Sequence, residues 1–157
     1  MAEMKSYAHK IGAIFYILWG ILHIVGAAIL LGQASAGAAA VLAAIGTGTP
    51  AAEIPPIGLG LTASVLAYYA WNILWVGLFV VVIAVRFNWR NNPLGFWLNL
   101  AVVGAVDLGL VILLIAPGHM AISDGMWGVI LFIPALIFSA IGLFNGRGEV
   151  ETRASLA

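Results

Sequence analysis

The chain contains no cysteine. That single absence removes disulfides, thiol redox chemistry, thiolate metal sites and iron–sulfur ligation. Charge is scarce as well: 6 Lys+Arg and 6 Asp+Glu make up 8% of 157 residues, against ~25% in ordinary soluble domains. The two signs cancel, so the basic footprint that a nucleic-acid partner requires is missing. What remains is apolar. Hydrophobic residues make up 64% of the chain and the mean hydropathy is +1.13. These values describe an integral membrane protein, and 157 residues leave room for one bundle, 1–157, with no soluble domain.

Four apolar runs carry this reading, at 11–31, 61–85, 93–116 and 126–144. Each has about the ~20 residues that cross ~30 Å of hydrocarbon as a helix. The expected fold is all-α, a four-helix transmembrane bundle. Asn92 is placed to cap the third helix with Pro93 at its first position. Asp124 is a candidate cap for the fourth and Gly146 a candidate stop, followed by a polar tail. The segment 34–45 is almost entirely small and apolar, and too short to cross. It predicts an Ala-rich helix between helices 1 and 2, either lying on the outer surface or dipping into the bundle. Prolines 50, 55 and 56 then end any helix.

Positive charge orients the bundle. Lys5, Lys10, Arg86, Arg90, Arg147 and Arg153 fall on the head, the middle turn and the tail, and the other two loops have none. The positive-inside rule puts both termini in the cytoplasm, in a membrane of bacterial cytoplasmic type. Phe87, Trp89 and Trp97 then form an inner aromatic belt. Ala34-Ser35-Ala36 resembles a signal-peptidase site, but the run before it exceeds the 7–15 residues of a signal core. The first span is therefore read as a membrane helix.

Polar groups inside the spans are few. Asp107 is the one acid in the four runs, and an intramembrane carboxylate must be protonated, paired or facing a wet cavity. His23 lies ~20 Å along its helix from Lys10, Asn72 ~21 Å from Arg86, and Asp107 ~21 Å from Pro93. The three share one depth, and Pro134, which frees the carbonyl of Ile130, is expected near it. Tyr16 and Trp19 share a helical face with His23, and Tyr68, Tyr69 and Trp75 flank Asn72. Two roles follow. Asp107 and His23 can form an acid–base pair, while Asn72, Tyr16, Trp19, Tyr68, Tyr69 and Trp75 line a pocket for an apolar ligand. Alternatively the polar groups are interhelical hydrogen bonds of ~0.6 kcal/mol each.

Other sites are less well supplied. Haem would need two histidines at one depth. His9 and His119 fall at opposite faces, so only a dimer sharing two copies of His23 could clamp it. No motif spacing indicates a metal, and Glu53, His119 and Asp124 read as solvated loop polarity. Ala101, Ala105 and Gly109 recur every four residues, which lets another helix approach closely, within the bundle or between subunits. Ile17-Leu18-Trp19-Gly20 is echoed by Ile73-Leu74-Trp75-Val76-Gly77, too short an echo to constitute a repeat.

The segment WGILHIVG in the first span, the basic turn RFNWRNNP and the close IAPGH of the third together resemble the small four-helix bacterial membrane proteins grouped as DoxX-like. Most members of that group have no known function, and some are linked with quinone-dependent redox systems. The resemblance implies the bundle and transfers no functional residue. Three functions are compatible with the residues. One is an accessory subunit of a membrane complex, or a binder of a lipid, quinone, isoprenoid or pigment. The second is an intramembrane acid–base enzyme acting through Asp107 and His23. The third is a small dimeric proton-coupled transporter, disfavoured by the single acid and the lack of inverted repeats. The expected partners are membrane lipid and a homo-oligomer or larger complex.

Overall fold

In hydrocarbon every backbone polar group must be satisfied within its own segment, so long apolar runs without breakers become helices. The computed structural model describes residues 2–46, 50, 52 and 60–155, with side chains over 7–46, 50, 52 and 61–145. It is all-α as described: α1 (Ala2–Gln33), a short α2 (Ala38–Ile45), α3 (Gly60–Arg86), α4 (Pro93–Leu110) and α5 (Ile122–Ser155). Four helical stretches are long and apolar enough to span a bilayer: Tyr7–Ala36, Leu61–Arg90, Pro93–Ile115 and Ile122–Asn145. By helix length and composition the chain is a multi-pass membrane protein.

Local chemistry accounts for most of the helix ends. The Asn92 side chain accepts the Leu94 N–H at 2.9 Å, and Pro93 opens α4 where a missing N–H is harmless. Before it, Asn91 closes the 88–90 turn with φ 55, a left-handed conformation that asparagine tolerates. At its far end α4 passes into one π turn, Val111–Ile115, in which the Ala116 N–H donates to the Val111 carbonyl at 2.8 Å. Pro117 and then Gly118, at φ +80, complete the exit.

Two expected boundaries of the fourth span are corrected. The helix starts at Ile122, and Asp124 sits inside its first turn instead of capping a start at 126. A carboxylate there still favours the positive end of the helix dipole. At the other end Gly146 does not stop α5, which runs on to Ser155. One interior glycine costs only ~1 kcal/mol relative to alanine, little enough for the neighbouring sequence to override. Glu53, Pro55 and Pro56 lie outside the described residues.

Among the spanning helices α1 packs along both α3 and α5, while α4 packs against α3 and α5 on the far side. Small residues allow this. A Cβ placed on Gly20 would lie 2.7 Å from the Gly77 carbonyl oxygen, and one on Gly77 would lie 2.7 Å from that of Gly20. On the α5 side Gly12 meets Ser139 and the Ala135 carbonyl, and Gly142 meets His9. Tyr16, Trp19, Val80, Ala84, Val103 and Ala135, from all four long helices, form the common core. A second cluster lies towards the other end, where Val41 of α2 packs on Leu30 and Ala70. The Ala-rich helix therefore rests against α1 and α3. Gly46 at its C-terminus, with φ +91, lies against Asp124.

The opposite end is tied by polar contacts. The Asn91 amide donates to the Gly142 carbonyl at 2.9 Å, the buried Asn99 amide donates to Asn88 Oδ1 at 3.0 Å, and the Lys10 ammonium lies 5.8 Å from the Trp89 ring centre. Among the described residues no helix packs on the stripe of Ala101, Ala105 and Gly109. Ala101 and Ala105 are exposed, and nothing lies within 4 Å of a Cβ built on Gly109.

Candidate functional site

On α4 the residues Gly95, Asn99, Val103 and Asp107 recur every four positions, so they share one face, and all four are buried. That face carries Asp107 to the level of Trp19 on α1. Asp107 is 3% exposed and Trp19 fully buried. The indole N–H donates to the carboxylate, 3.2 Å from each oxygen, so one hydrogen is shared between two acceptors. One turn further along α1, His23 stacks on the Trp19 ring with centres 3.6 Å apart. Its Nδ1 lies 2.8 Å from the Trp19 carbonyl oxygen.

The fourth wall is Gly128 of α5. A Cβ there would stand 2.9 Å from Asp107 Oδ1, 3.3 Å from Trp19 Nε1 and 3.4 Å from His23 Cε1. Glycine is what lets α5 close over the three side chains. Pro134 is not the residue of α5 at this level. The register puts Gly128 there, six residues closer to the start of the helix.

Above this cluster lies a cavity of about 220 Å³. His23 and Gly128 lie at its floor, Leu30, Ile73 and Leu110 line its sides, and Ala44 and Ile45 of α2 border it. Leu22, Ile29, Tyr69 and Trp127 also line it and are each more than a third exposed, so they form its rim. Asp124 is a further polar lining group, and its Oδ1 accepts the Ser123 hydroxyl at 3.1 Å.

The residues expected to form one site thus separate into four positions. His23 and Tyr69 border the cavity. Trp19 and Asp107 lie beneath its floor. Tyr16 is in the core, its ring centre 6.4 Å from that of Phe132 and its hydroxyl without a partner among the described residues. Asn72, Tyr68 and Trp75 are on the outward face of α3. Tyr68 is 68% and Trp75 54% exposed, and the Asn72 amide donates to the Tyr68 carbonyl of its own helix at 2.7 Å. Asn72 has the predicted depth but the wrong azimuth, and its neighbour Ile73 is the one turned inward.

Asp107 and His23 are brought together but not joined. Among the described residues they share no hydrogen bond or ion pair, and the indole bonds the acid while stacking on the imidazole. An indole N–H is donor only, so it cannot hand a proton from one to the other. The arrangement fixes an acid beneath the cavity and offers the ring of His23 to its interior.

No family model, no curated protein and no solved structure matches this chain. The DoxX-like resemblance therefore stands on its quoted segments alone.

Two groups that shape the site have only faint sequence signals. Gly128 is one of many glycines, and only its position opposite Asp107 distinguishes it. Asn99 and Asn88 make the buried polar contact at the other end. The signal for Asn99 is its spacing of eight from Asp107 on the same apolar helix, which puts both on the core face.

Proposed function

We propose that this protein binds a lipophilic molecule in the cavity above His23. The observation that carries the reading is the cavity itself: apolar walls from all four spans, a short helix across one end and a single polar group at the floor. That combination is what an oriented apolar ligand requires. At about 220 Å³ it falls below the ~300–1,000 Å³ of sites that enclose a whole drug-sized ligand. It suits a head group and the start of a tail, the rest leaving past the rim into lipid. Lipids, isoprenoids, quinones and pigments all have this shape. The DoxX-like resemblance favours a quinone among them.

Mass spectrometry of small molecules released from protein extracted in mild detergent tests the reading. A molecule in near 1:1 ratio to the chain is expected. Gly26 lines the cavity with nothing within 4 Å of a Cβ built on it, so Gly26→Leu should fill the space without a clash. The variant should keep its melting temperature and lose at least ~10-fold of the bound molecule, a ~1.4 kcal/mol effect. Full retention by Gly26→Leu would remove the cavity from consideration.

The proposed orientation follows the charges, with the Lys10–Trp89 end cytoplasmic and the cavity in the outer half. The cysteine-free chain suits a direct test. Single cysteines at Ser35 and His119 should react with an impermeant maleimide in intact cells. One at Ser155 should react only after lysis. Labelling at Ser155 but not at Ser35 in intact cells would reverse the orientation.

A further inference from the structure

The tautomer of His23 decides what kind of head group the cavity accepts. A carbonyl oxygen can only accept a hydrogen bond, so the 2.8 Å contact between Nδ1 and the Trp19 carbonyl puts the hydrogen on Nδ1. In the neutral imidazole the second nitrogen, Nε2, then carries a bare lone pair. Nδ1 is turned back on its own helix, which leaves Nε2 as the ring nitrogen to meet a ligand. Cε1, which is bonded to both ring nitrogens, lies 3.4 Å from the Cβ position of Gly128, and His23 borders the cavity. Among the described residues no group bonds Nε2.

The ring is held in this pose twice over, by the Nδ1 contact and by its stack on Trp19. Trp19 is itself fixed by its bond to Asp107. The acceptor that His23 has to offer the cavity, Nε2, is thus held in one pose. The other polar side chains at the cavity are Tyr69 and Trp127 on the rim, each with a hydrogen to donate, and the Asp124 carboxylate. A carboxylate there disfavours an anionic head group by like-charge repulsion.

Resting on the cavity reading above, we infer that the ligand is an uncharged lipophilic hydroxyl compound, an alcohol or phenol whose O–H donates to His23 Nε2. The reduced, hydroxyl-bearing form of a quinone fits this rule, and its oxidised form, which presents only carbonyl acceptors, does not. A site built to accept one hydrogen bond rejects an analogue that cannot donate it, because the buried acceptor is then left unpaired.

Farnesol and farnesyl methyl ether provide the comparison, since they share a tail and differ in the donor. Each is titrated into the purified chain in detergent micelles, and the 1:1 adduct is counted by native mass spectrometry. Farnesol should bind at least ~10-fold more tightly than the ether. His23→Phe keeps a ring for the stack and removes the acceptor, so it should bring the two affinities within ~2-fold while leaving that of the ether unchanged. His23→Gln, whose amide oxygen can accept, should retain part of the preference. Equal binding of both probes by the native chain overturns the acceptor assignment and leaves the cavity reading standing. The same holds if the full preference persists in His23→Phe. If neither probe binds and no molecule co-purifies, the cavity reading falls, and the inference falls with it.

Discussion

Gly77→Ala should lower the unfolding free energy of the bundle by about 3 kcal/mol, the upper part of the range for forcing extra atoms into a packed interior. The new methyl would stand 2.7 Å from the Gly20 carbonyl oxygen, 3.0 Å from Ile24 Cγ1 and 3.2 Å from the Ile24 N. Two of those three atoms are backbone, so a rotamer change cannot relieve the contact and α1 must move away from α3. Gly20→Ala meets the mirror contact, 2.7 Å from the Gly77 carbonyl oxygen, but its other close neighbour is the Val81 side chain. It should be somewhat milder. Gly32→Ala supplies the control, since it is on the same α1 with nothing within 4 Å, and a helical Gly→Ala change there should be neutral or stabilising. Reversible unfolding in mixed micelles, followed by far-ultraviolet circular dichroism, reads all three. Equal stability of Gly77→Ala and Gly32→Ala would mean that α1 and α3 do not cross at these glycines.

Trp19→Phe should be comparably damaging for a different reason. It keeps an aromatic ring but takes away the one hydrogen-bond donor that the described residues give a carboxylate 3% exposed. Leaving a buried acceptor without its donor typically costs ~1–3 kcal/mol, and more when the acceptor is charged. Asp107→Asn should behave oppositely. An amide oxygen still accepts the indole hydrogen, and a buried charge is gone, so the melting temperature should hold or rise. Combining Trp19→Phe with Asp107→Leu should then cost less than the sum of the two single changes, with a coupling of about 2 kcal/mol. Strict additivity in that double-mutant cycle would show that the two side chains do not interact in the membrane.

Sequence alone located four spans because the hydropathy signal is long and the breaks between spans are chemically distinct. Asn92-Pro93 and Pro117-Gly118 mark helix boundaries by mechanisms that do not depend on tertiary structure. Depth was also legible, since a fixed rise per residue places His23 and Asp107 at one level. Azimuth was not. All faces of a membrane helix are apolar, so no polar side marks the outward direction, as the surface does for a soluble helix. Asn72 was therefore expected inward and faces outward with Tyr68 and Trp75. Gly20 and Gly77 end the two echoed segments, a similarity too short to interpret from sequence, yet they are where α1 and α3 cross. The boundaries of α5 failed on glycine and aspartate, whose preferences are weak enough for the neighbouring sequence to override.

The π turn at Val111–Ile115 has a consequence for chain length. A ring closed from residue i to i+5 contains one residue more than the α-helical ring. Deleting a single residue from this turn would return it to ordinary α-helix, with every residue before it left in register. Asp107 and Leu110 lie before the turn, whereas Pro117 and Met120, which leads into α5, lie after it. A change of one residue there would reset how the loop and the mouth of the cavity meet. The acid, its indole partner and the imidazole would keep their places. The α1 and α4 parts of the floor are therefore set independently of the mouth, while Gly128 of α5 follows the turn.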